Sequence, residues 1–283
     1  MNQVIEFYTK AHNNKYTRDS FLTTGKNITW IDFADLDSSG SVDMLMVTLE
    51  GAEYKAYIMG NINHPDGLCS TAPNFPFDMD HMYPITLPDN WKLLDDSNPH
   101  LADFDYDGYP DLLAIFSINE YRKTSILHNK NNFGFDIFHA ASPTTLENVG
   151  SPVQTAVFDY SEDGRFDVMI IRNETKADST EAFVRTSIFN NIIEDSLFIK
   201  ILPLLASGTG EGLDRREVSG GVGVTVEWRI TDLDGDKRVN LLNQRCQWNF
   251  GTLQLPFTSV GLGRTNNYIE DLTVGYPGSG QTQ

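Results

Sequence analysis

The chain has 283 residues, of which 40% are hydrophobic and 11% aromatic, so it is long and apolar enough to bury one large core or two ordinary ones. Acidic residues outnumber basic ones 39 to 21, and a formal charge of −18 would repel phosphate backbones and anionic lipid. No apolar run reaches the roughly 18 residues that a membrane helix needs. We therefore expect no nucleic-acid partner and no direct membrane insertion of this chain.

The first residues of the chain, 1–17, alternate apolar and polar side chains and lack the charged-then-apolar order of a signal peptide. If the protein is secreted, its leader is expected to lie outside this sequence. The sequons Asn27-Ile28-Thr29 and Asn173-Glu174-Thr175 permit N-glycosylation at Asn27 and Asn173, although such triplets also arise by chance. The two cysteines, Cys69 and Cys246, allow one disulfide or none, so they do not define the compartment.

Three repeats organise the first two-thirds of the chain. Residues 29–47, 100–114 and 155–171 each contain an apolar strand, a nine-residue acidic loop and a second apolar strand. The loops begin 68 and 56 residues apart, close to the roughly 40–50 residues of a propeller blade. Segments of alternating apolar and polar residues, bounded by Asn, Gly or Pro, follow each loop, and the sequence shows almost no 3.6-residue helical periodicity in this region. The repeats therefore predict an all-β fold built from propeller blades.

The pattern changes near residue 190. Residues 196–205 predict one long apolar strand, and a loop rich in Gly, Glu and Arg follows it over residues 207–221. More strand-like runs occupy residues 224–230, 239–247, 254–262 and 269–274. We therefore predict two domains, propeller blades over residues 1–189 and a β-sandwich-like domain over residues 190–283.

The nine-residue loops have the composition of calcium sites. Calcium takes six to eight oxygen ligands at about 2.3–2.6 Å, and alternating oxygen side chains on a short loop supply most of them. Glycine stands at the sixth position of each loop, where the chain turns sharply around an ion, often with positive φ. The predicted ligands are Asp35, Asp37, Ser39, Asp43 and the carbonyl of Ser41 in the first loop; Asp103, Asp105, Asp107, Asp111 and the carbonyl of Tyr109 in the second; and Asp159, Ser161, Asp163, Asp167 and the carbonyl of Arg165 in the third.

The alternative is that these loops are plain turns, because Asp, Ser and Gly are common turn residues and a single such loop is usually a turn. Three loops with matched spacing favour calcium, and ten inward-facing carboxylates would repel one another without a cation. We expect up to three calcium ions. The second loop is the strongest candidate because it keeps all four aspartates.

Other motifs do not predict catalysis. In residues 232–240 the glycine has moved to the fourth position and Lys237 takes the sixth, which predicts an Asp-Gly hairpin turn. Gly261-Leu262-Gly263 lacks the third glycine of a dinucleotide loop and predicts a strand-joining turn. The six histidines lack zinc-ligand spacing, and no nucleophile elbow occurs. The chain is therefore expected not to be an enzyme.

The loops and the C-terminal segment carry a resemblance to known proteins. The strand-Asp-x-Asp-x-Asp-Gly-x-x-Asp-strand pattern is similar to the FG-GAP (VCBS) repeats of integrin α-subunit propellers. The stretch from Leu255 to Gly275, together with Asn190-Asn191 and Gly221-Val222-Gly223, resembles the T-cell immunomodulatory protein family. This resemblance implies a type I membrane glycoprotein at the cell surface, with a calcium-binding FG-GAP propeller followed by a β-sandwich, acting in adhesion and signalling by contact.

The family also implies further repeats upstream and a membrane helix downstream. Because three blades do not close a propeller, we expect that the chain is a fragment or a divergent relative, or that a protein partner completes the circle. The function predicted is a non-catalytic, calcium-binding interaction module, extracellular or on the cell surface. Two alternatives stay open: a structural subunit of a larger assembly, and a propeller-type glycan-binding protein or hydrolase.

Overall fold

The computed structural model describes residues 3–10, 16–61, 77–94, 99–131, 133–137, 146, 148–175, 182–192, 197–207, 217–220, 223–231, 235–244, 255, 257–263 and 268–276. Within these ranges, 21 strands form six antiparallel sheets, and one 3₁₀ turn spans Met79–His81. The predicted all-β fold class is confirmed.

The first two repeats form two four-stranded blades. Blade 1 consists of β3 (Asn27–Ala34), β4 (Asp43–Glu50), β5 (Glu53–Met59) and β6 (Met82–Pro84), and blade 2 consists of β8 (His100–Ala102), β9 (Asp111–Ile118), β10 (Tyr121–Asn129) and β11 (Phe135–Ile137). Strand β7 (Trp91–Leu93) pairs with both β5 and β9 and so joins the two blades into one nine-stranded sheet. Its three residues are too few to show a strand period in the sequence.

The third repeat forms blade 3, which consists of β12 (Pro152–Phe158), β13 (Asp167–Thr175) and β14 (Ala182–Phe189). A hairpin of β1 (Val4–Lys10) and β2 (Tyr16–Thr23) precedes blade 1. In every blade the nine-residue loop connects the first strand to the second: β3 to β4, β8 to β9 and β12 to β13. The three loops therefore occupy the same place in their blades.

The C-terminal part is a set of small antiparallel sheets. Strand β15 (Leu197–Ile201) pairs with β20 (Thr258–Gly263), β16 (Leu204–Ser207) pairs with β17 (Glu217–Gly220), and β18 (Thr225–Thr231) lies between β19 (Lys237–Asn243) and β21 (Asp271–Gly275). The chain thus combines blades of a partial propeller with a second β unit.

Two local predictions for the C-terminal part are wrong. The single strand over residues 196–205 is two strands in different sheets, separated at Leu202-Pro203, where proline cannot donate a ladder hydrogen bond. Gly261-Leu262-Gly263 is not a turn but the end of β20. The predicted Asp-Gly hairpin fits the β18–β19 pairing, in which Gly235 has a φ of +88°; residues 232–234 lie outside the described part.

The strands that follow the first two loops, β4 and β9, are buried on both faces, which holds these loops in place. In β4 and β9 the first six residues are all buried. One apolar cluster, including Leu45, Ile58 and Phe116, packs blades 1 and 2, and a second, including Leu113 and Ile170, packs blades 2 and 3. The loops therefore project from a rigid interior.

Candidate metal centre

The three loops follow one backbone path. The sixth-position glycine has a φ of +78° at Gly40, +99° at Gly108 and +90° at Gly164, as the calcium-loop pattern predicts. The fourth residue of each loop is also left-handed, with φ between 56° and 61°, although none of the three is glycine. Such a conformation is uncommon outside glycine. Three unrelated side chains in the same strained conformation indicate that the loops have one architecture.

The ninth-position aspartate closes each loop with two hydrogen bonds. Its Oδ2 accepts the N–H of the second residue of the same loop. Asp43 accepts from Leu36 at 2.8 Å, Asp111 from Phe104 at 2.9 Å, and Asp167 from Tyr160 at 2.8 Å. Its Oδ1 accepts the N–H of an asparagine that ends or follows the third strand of the blade, at 2.9 Å from Asn61, 2.9 Å from Asn129 and 2.8 Å from Asn191. Buried carboxylates that accept two N–H groups are held rigidly in place.

These asparagines also connect the blades, a role that the sequence analysis missed. Asn129 Nδ2 donates to the carbonyl of Leu36 in the first loop at 2.8 Å, and Asn191 Nδ2 donates to the carbonyl of Phe104 in the second at 2.7 Å. The available signal was the recurrence of an asparagine after each repeat. Each loop after the first is thereby tied to the loop before it.

The side chain of the first-position aspartate is buried, and its Oδ1 accepts the N–H of Ser39 at 3.0 Å in the first loop only. Its Oδ2 accepts the N–H of the sixth-position glycine at 3.0 Å, 2.9 Å and 3.0 Å in the three loops. Among the described residues, Oδ1 of Asp103 and Oδ1 of Asp159 are buried with no hydrogen-bond partner. A buried carboxylate oxygen without a donor is costly, and a metal ion is a partner that fits it.

In the first two loops the predicted ligands come together. One oxygen each of Asp35, Asp37 and Asp43 lie within 4.8 Å of one another, and the same holds for three aspartates of the second loop. Two oxygens on opposite sides of a calcium ion are about 4.8 Å apart. The second group consists of Asp103, Asp105 and Asp107. Both loops therefore have room for an oxygen-ligated cation.

Several of these carboxylates have raised pKa values, which favour a nearby cation. Burial, followed by repulsion from Asp43 and Asp37, raises the pKa of Asp35 well above its ordinary value. Burial and the carboxylate of Asp37 raise the pKa of Asp43 to about 7. Burial and neighbouring loop carboxylates likewise raise the pKa of Asp103 and Asp111. A divalent ion among them would offset both burial and repulsion.

The second loop contains a group that the sequence did not reveal. His128 in β10 lies with Nε2 3.0 Å from Asp105 Oδ2 and 3.3 Å from Asp107 Oδ2. These two carboxylates raise the pKa of His128 to about 10, so its ring is an imidazolium at neutral pH. Its Nε2 also lies within 4.8 Å of ligand oxygens of Asp105 and Asp111. His128 therefore supplies positive charge at the ion position, where it would compete with a bound cation.

The third loop is different. No three acidic or histidine ligands of this loop come together in the described part of the chain, and Ser161 and Asp163 are exposed. The ammonium of Lys200 in β15 lies 2.7 Å from Asp159 Oδ2. The loop therefore already holds a tethered positive charge. Its ligand set, including the carbonyl of Arg165, stays a prediction, as do the carbonyls of Ser41 and Tyr109.

Two stretches of the chain match models of known protein families. Residues 103–170, which begin at the first aspartate of the second loop and extend past the third loop, match the family model of the FG-GAP-like repeat. Residues 219–283 match the model described as "ITFG1, C2 domain". The two matches cover part of the blade region and part of the C-terminal region of the chain.

The relatives agree with these matches. The chain is 25% identical to the T-cell immunomodulatory protein homolog of Plasmodium falciparum (isolate 3D7), over 98% of this chain and 45% of the relative. It is 25% identical to the human T-cell immunomodulatory protein over 87% of this chain and 42% of the relative, and 27% identical to the Rattus norvegicus protein over 63% and 30%. The predicted resemblance to this family is confirmed. The chain spans less than half the length of these relatives.

Among the described residues, no helix has the length and apolar character needed to cross a membrane.

Proposed function

We propose that this chain binds calcium through its first two loops and serves as a non-catalytic protein-interaction module outside the cell or on its surface. The observation that carries the calcium assignment is the convergence of buried carboxylates in two loops of identical backbone path, with the Oδ1 of Asp103 buried and lacking a donor. Oxygen-only, carboxylate-rich ligand sets favour calcium over softer metals.

Bound calcium would stabilise the blades. An ion that binds only the folded chain adds about 2.7 kcal/mol per site at a hundredfold excess over its Kd. It would act on loops that are tied to one another by Asn129 and Asn191, so occupancy of one loop strengthens a network that spans all three blades. We propose a third ion at Asp159, Ser161, Asp163 and Asp167 only where the ammonium of Lys200 is displaced.

Titration calorimetry tests the calcium assignment. The chain, stripped with chelator, is expected to bind two calcium ions and to bind magnesium more weakly, because magnesium demands near-ideal octahedral geometry. The isosteric variant Asp103→Asn is expected to lose binding at the second loop, and Glu53→Gln, an exposed residue paired with Lys92 at the opposite end of blade 1, is the control. Binding of no calcium by the wild-type chain would refute the assignment.

The interaction role draws on the FG-GAP match and on the relatives named T-cell immunomodulatory proteins. Loops presented by a rigid β scaffold are suited to contacting other proteins. Burial and mutual repulsion, which a bound cation would offset, raise the pKa values of the loop carboxylates, so these values give no separate reason to propose catalysis. We propose a protein partner on this basis, and an extracellular or surface location.

The sequons are consistent with that location. Asn27 at the start of β3 and Asn173 in β13 are both exposed. We propose both as glycosylation sites. Intact-mass measurement of the chain secreted from a eukaryotic host is expected to show a loss of mass on treatment with an N-glycosidase; an unchanged mass would refute it.

A further inference from the structure

Strands of the C-terminal domain lie directly on the three acidic loops. The N–H of Leu241 in β19 donates to Asp35 Oδ2 at 2.9 Å, and the N–H of Gly261 in β20 donates to Asp103 Oδ2 at 2.7 Å. In the third loop the ammonium of Lys200 fills the corresponding place on Asp159. The acceptor is in every case Oδ2 of the first-position aspartate, the oxygen that also accepts the glycine N–H of its loop.

The packing at these contacts leaves no room for side chains. A Cβ built on Gly40 would lie 2.7 Å from Val239 Cγ1, and one on Gly164 would lie 2.3 Å from Phe198 Cζ. A Cβ on Gly261 would lie 1.9 Å from the carbonyl oxygen of Tyr106. The glycines thus serve close docking as well as the turn.

One side chain joins two loops to the C-terminal domain. Nδ2 of Asn240 in β19 lies 3.0 Å from Ser38 Oγ in the first loop and 2.9 Å from the carbonyl of Gly108 in the second. Strand β19 is at the edge of the β19–β18–β21 sheet, and β20 pairs only with β15 in the described part. The loops therefore satisfy polar groups at strand edges that would otherwise need another partner.

We propose that ion occupancy of the first two loops controls whether the C-terminal domain stays docked on the blades. This inference rests on the proposed function, because the ion is the calcium assigned above. The first-position aspartate would be shared: its Oδ2 accepts the edge N–H, while its Oδ1 would face the ion. This Oδ1 is buried without a hydrogen-bond partner in Asp103 and accepts the N–H of Ser39 in Asp35. A cation holds this carboxylate in place between its loop neighbours. Without the cation, repulsion among the buried loop carboxylates shifts the acceptor away from the strand edge.

The coupling must act in both directions. If calcium favours the docked arrangement, the docked domain raises calcium affinity by the same factor. The acidic loops thereby form the interface between the blades and the C-terminal domain of the same chain. Calcium concentration would set the relative freedom of the two domains.

Hydrogen exchange on the full chain, in saturating calcium and in chelator, tests the proposal. The amides of Gly40 and Gly108 report on the loops, those of Leu241 and Gly261 report on docking, and that of Trp228, inside β18, is the control. Loss of a hydrogen bond to a charged acceptor costs about 1.4 kcal/mol or more, so exchange at Leu241 and Gly261 is expected to speed up at least about tenfold in chelator. Trp228 is expected to be unaffected.

The outcomes separate the two claims. If calcium binds and slows exchange at Gly40 and Gly108 but not at Leu241 and Gly261, the coupling is overturned while the proposed function stands. If calorimetry detects no calcium binding, the proposed function itself fails. Two variants localise the effect. Asp35→Asn is expected to abolish the calcium effect at Leu241 and to keep it at Gly261, and an unchanged effect at Leu241 would overturn the proposal. Glu53→Gln, which is exposed, pairs with Lys92 and lies at the end of β4 opposite to the first loop, should behave as wild type.

Discussion

Replacement of Asp111 by asparagine separates the structural role of the second loop from its metal role. Asp111 is fully buried and accepts the N–H of Phe104 and the N–H of Asn129, both at 2.9 Å. Asparagine has the same shape, but its NH₂ group cannot accept, so one of these two N–H groups loses its partner. We expect a loss in chelator of no more than about 1–3 kcal/mol, because the unsatisfied donor costs that much while removal of a buried charge that repels Asp103 and Asp105 offsets part of it.

In calcium the same variant should lose more. The wild-type chain is expected to gain about 2.7 kcal/mol for each of two sites at a hundredfold excess over Kd, whereas the variant gains this amount only from the first loop. Urea unfolding of both proteins in calcium and in chelator measures the two losses separately. The control Glu53→Gln, in an exposed ion pair with Lys92, should change stability by less than about 1 kcal/mol. An equal calcium increment in wild type and Asp111→Asn would refute the reasoning for the second loop.

Three further predictions follow from the loops. Burial raises the pKa of Asp43 to about 7, so the carboxyl of Asp43 holds its proton more tightly in the metal-free folded chain than in the unfolded chain. The Tm in chelator should therefore fall as pH rises from about 4 to about 7. A Tm that does not change with pH over this range would contradict the prediction. His128→Gln removes a cation that competes for the second loop, so calorimetry at pH 7 should show calcium binding no weaker than in wild type; weaker binding would mean that the imidazole is a ligand. Gly164→Ala places a Cβ 2.3 Å from Phe198 at a φ of +90° and should lower the free energy of unfolding by more than about 2 kcal/mol. Gly25→Ala, with a φ of +63° and open space around it, should lower it by about 1–2 kcal/mol, and urea unfolding measures both. Equal losses would argue against tight docking at Gly164.

The sequence predicts what depends on near neighbours along the chain. The loop ligands and their glycines follow one another within nine residues, so their spacing alone gives the turn, its positive φ at Gly108 and the inward-facing oxygens. The strands on either side have apolar runs because blade packing buries both of their faces. For the same reason the all-β class could be predicted from the repeats.

Contacts between distant residues could not be predicted. His128 reaches the second loop because it lies in the neighbouring strand of blade 2, and Leu241 reaches Asp35 from 206 positions along the chain. Neither partner shows a local period or spacing that marks it. Pro203 marks the break between β15 and β16, but the apolar residues on either side of it predict a single strand.

The most direct test of the account is a crystal structure grown in calcium, with anomalous difference maps recorded near the calcium signal. The account predicts one peak in each of the first two loops, about 2.3–2.6 Å from oxygens of Asp35, Asp37 and Asp43 and of Asp103, Asp105, Asp107 and Asp111, with His128 turned away. Loops without a peak at saturating calcium, with their aspartates directed to solvent, would contradict it.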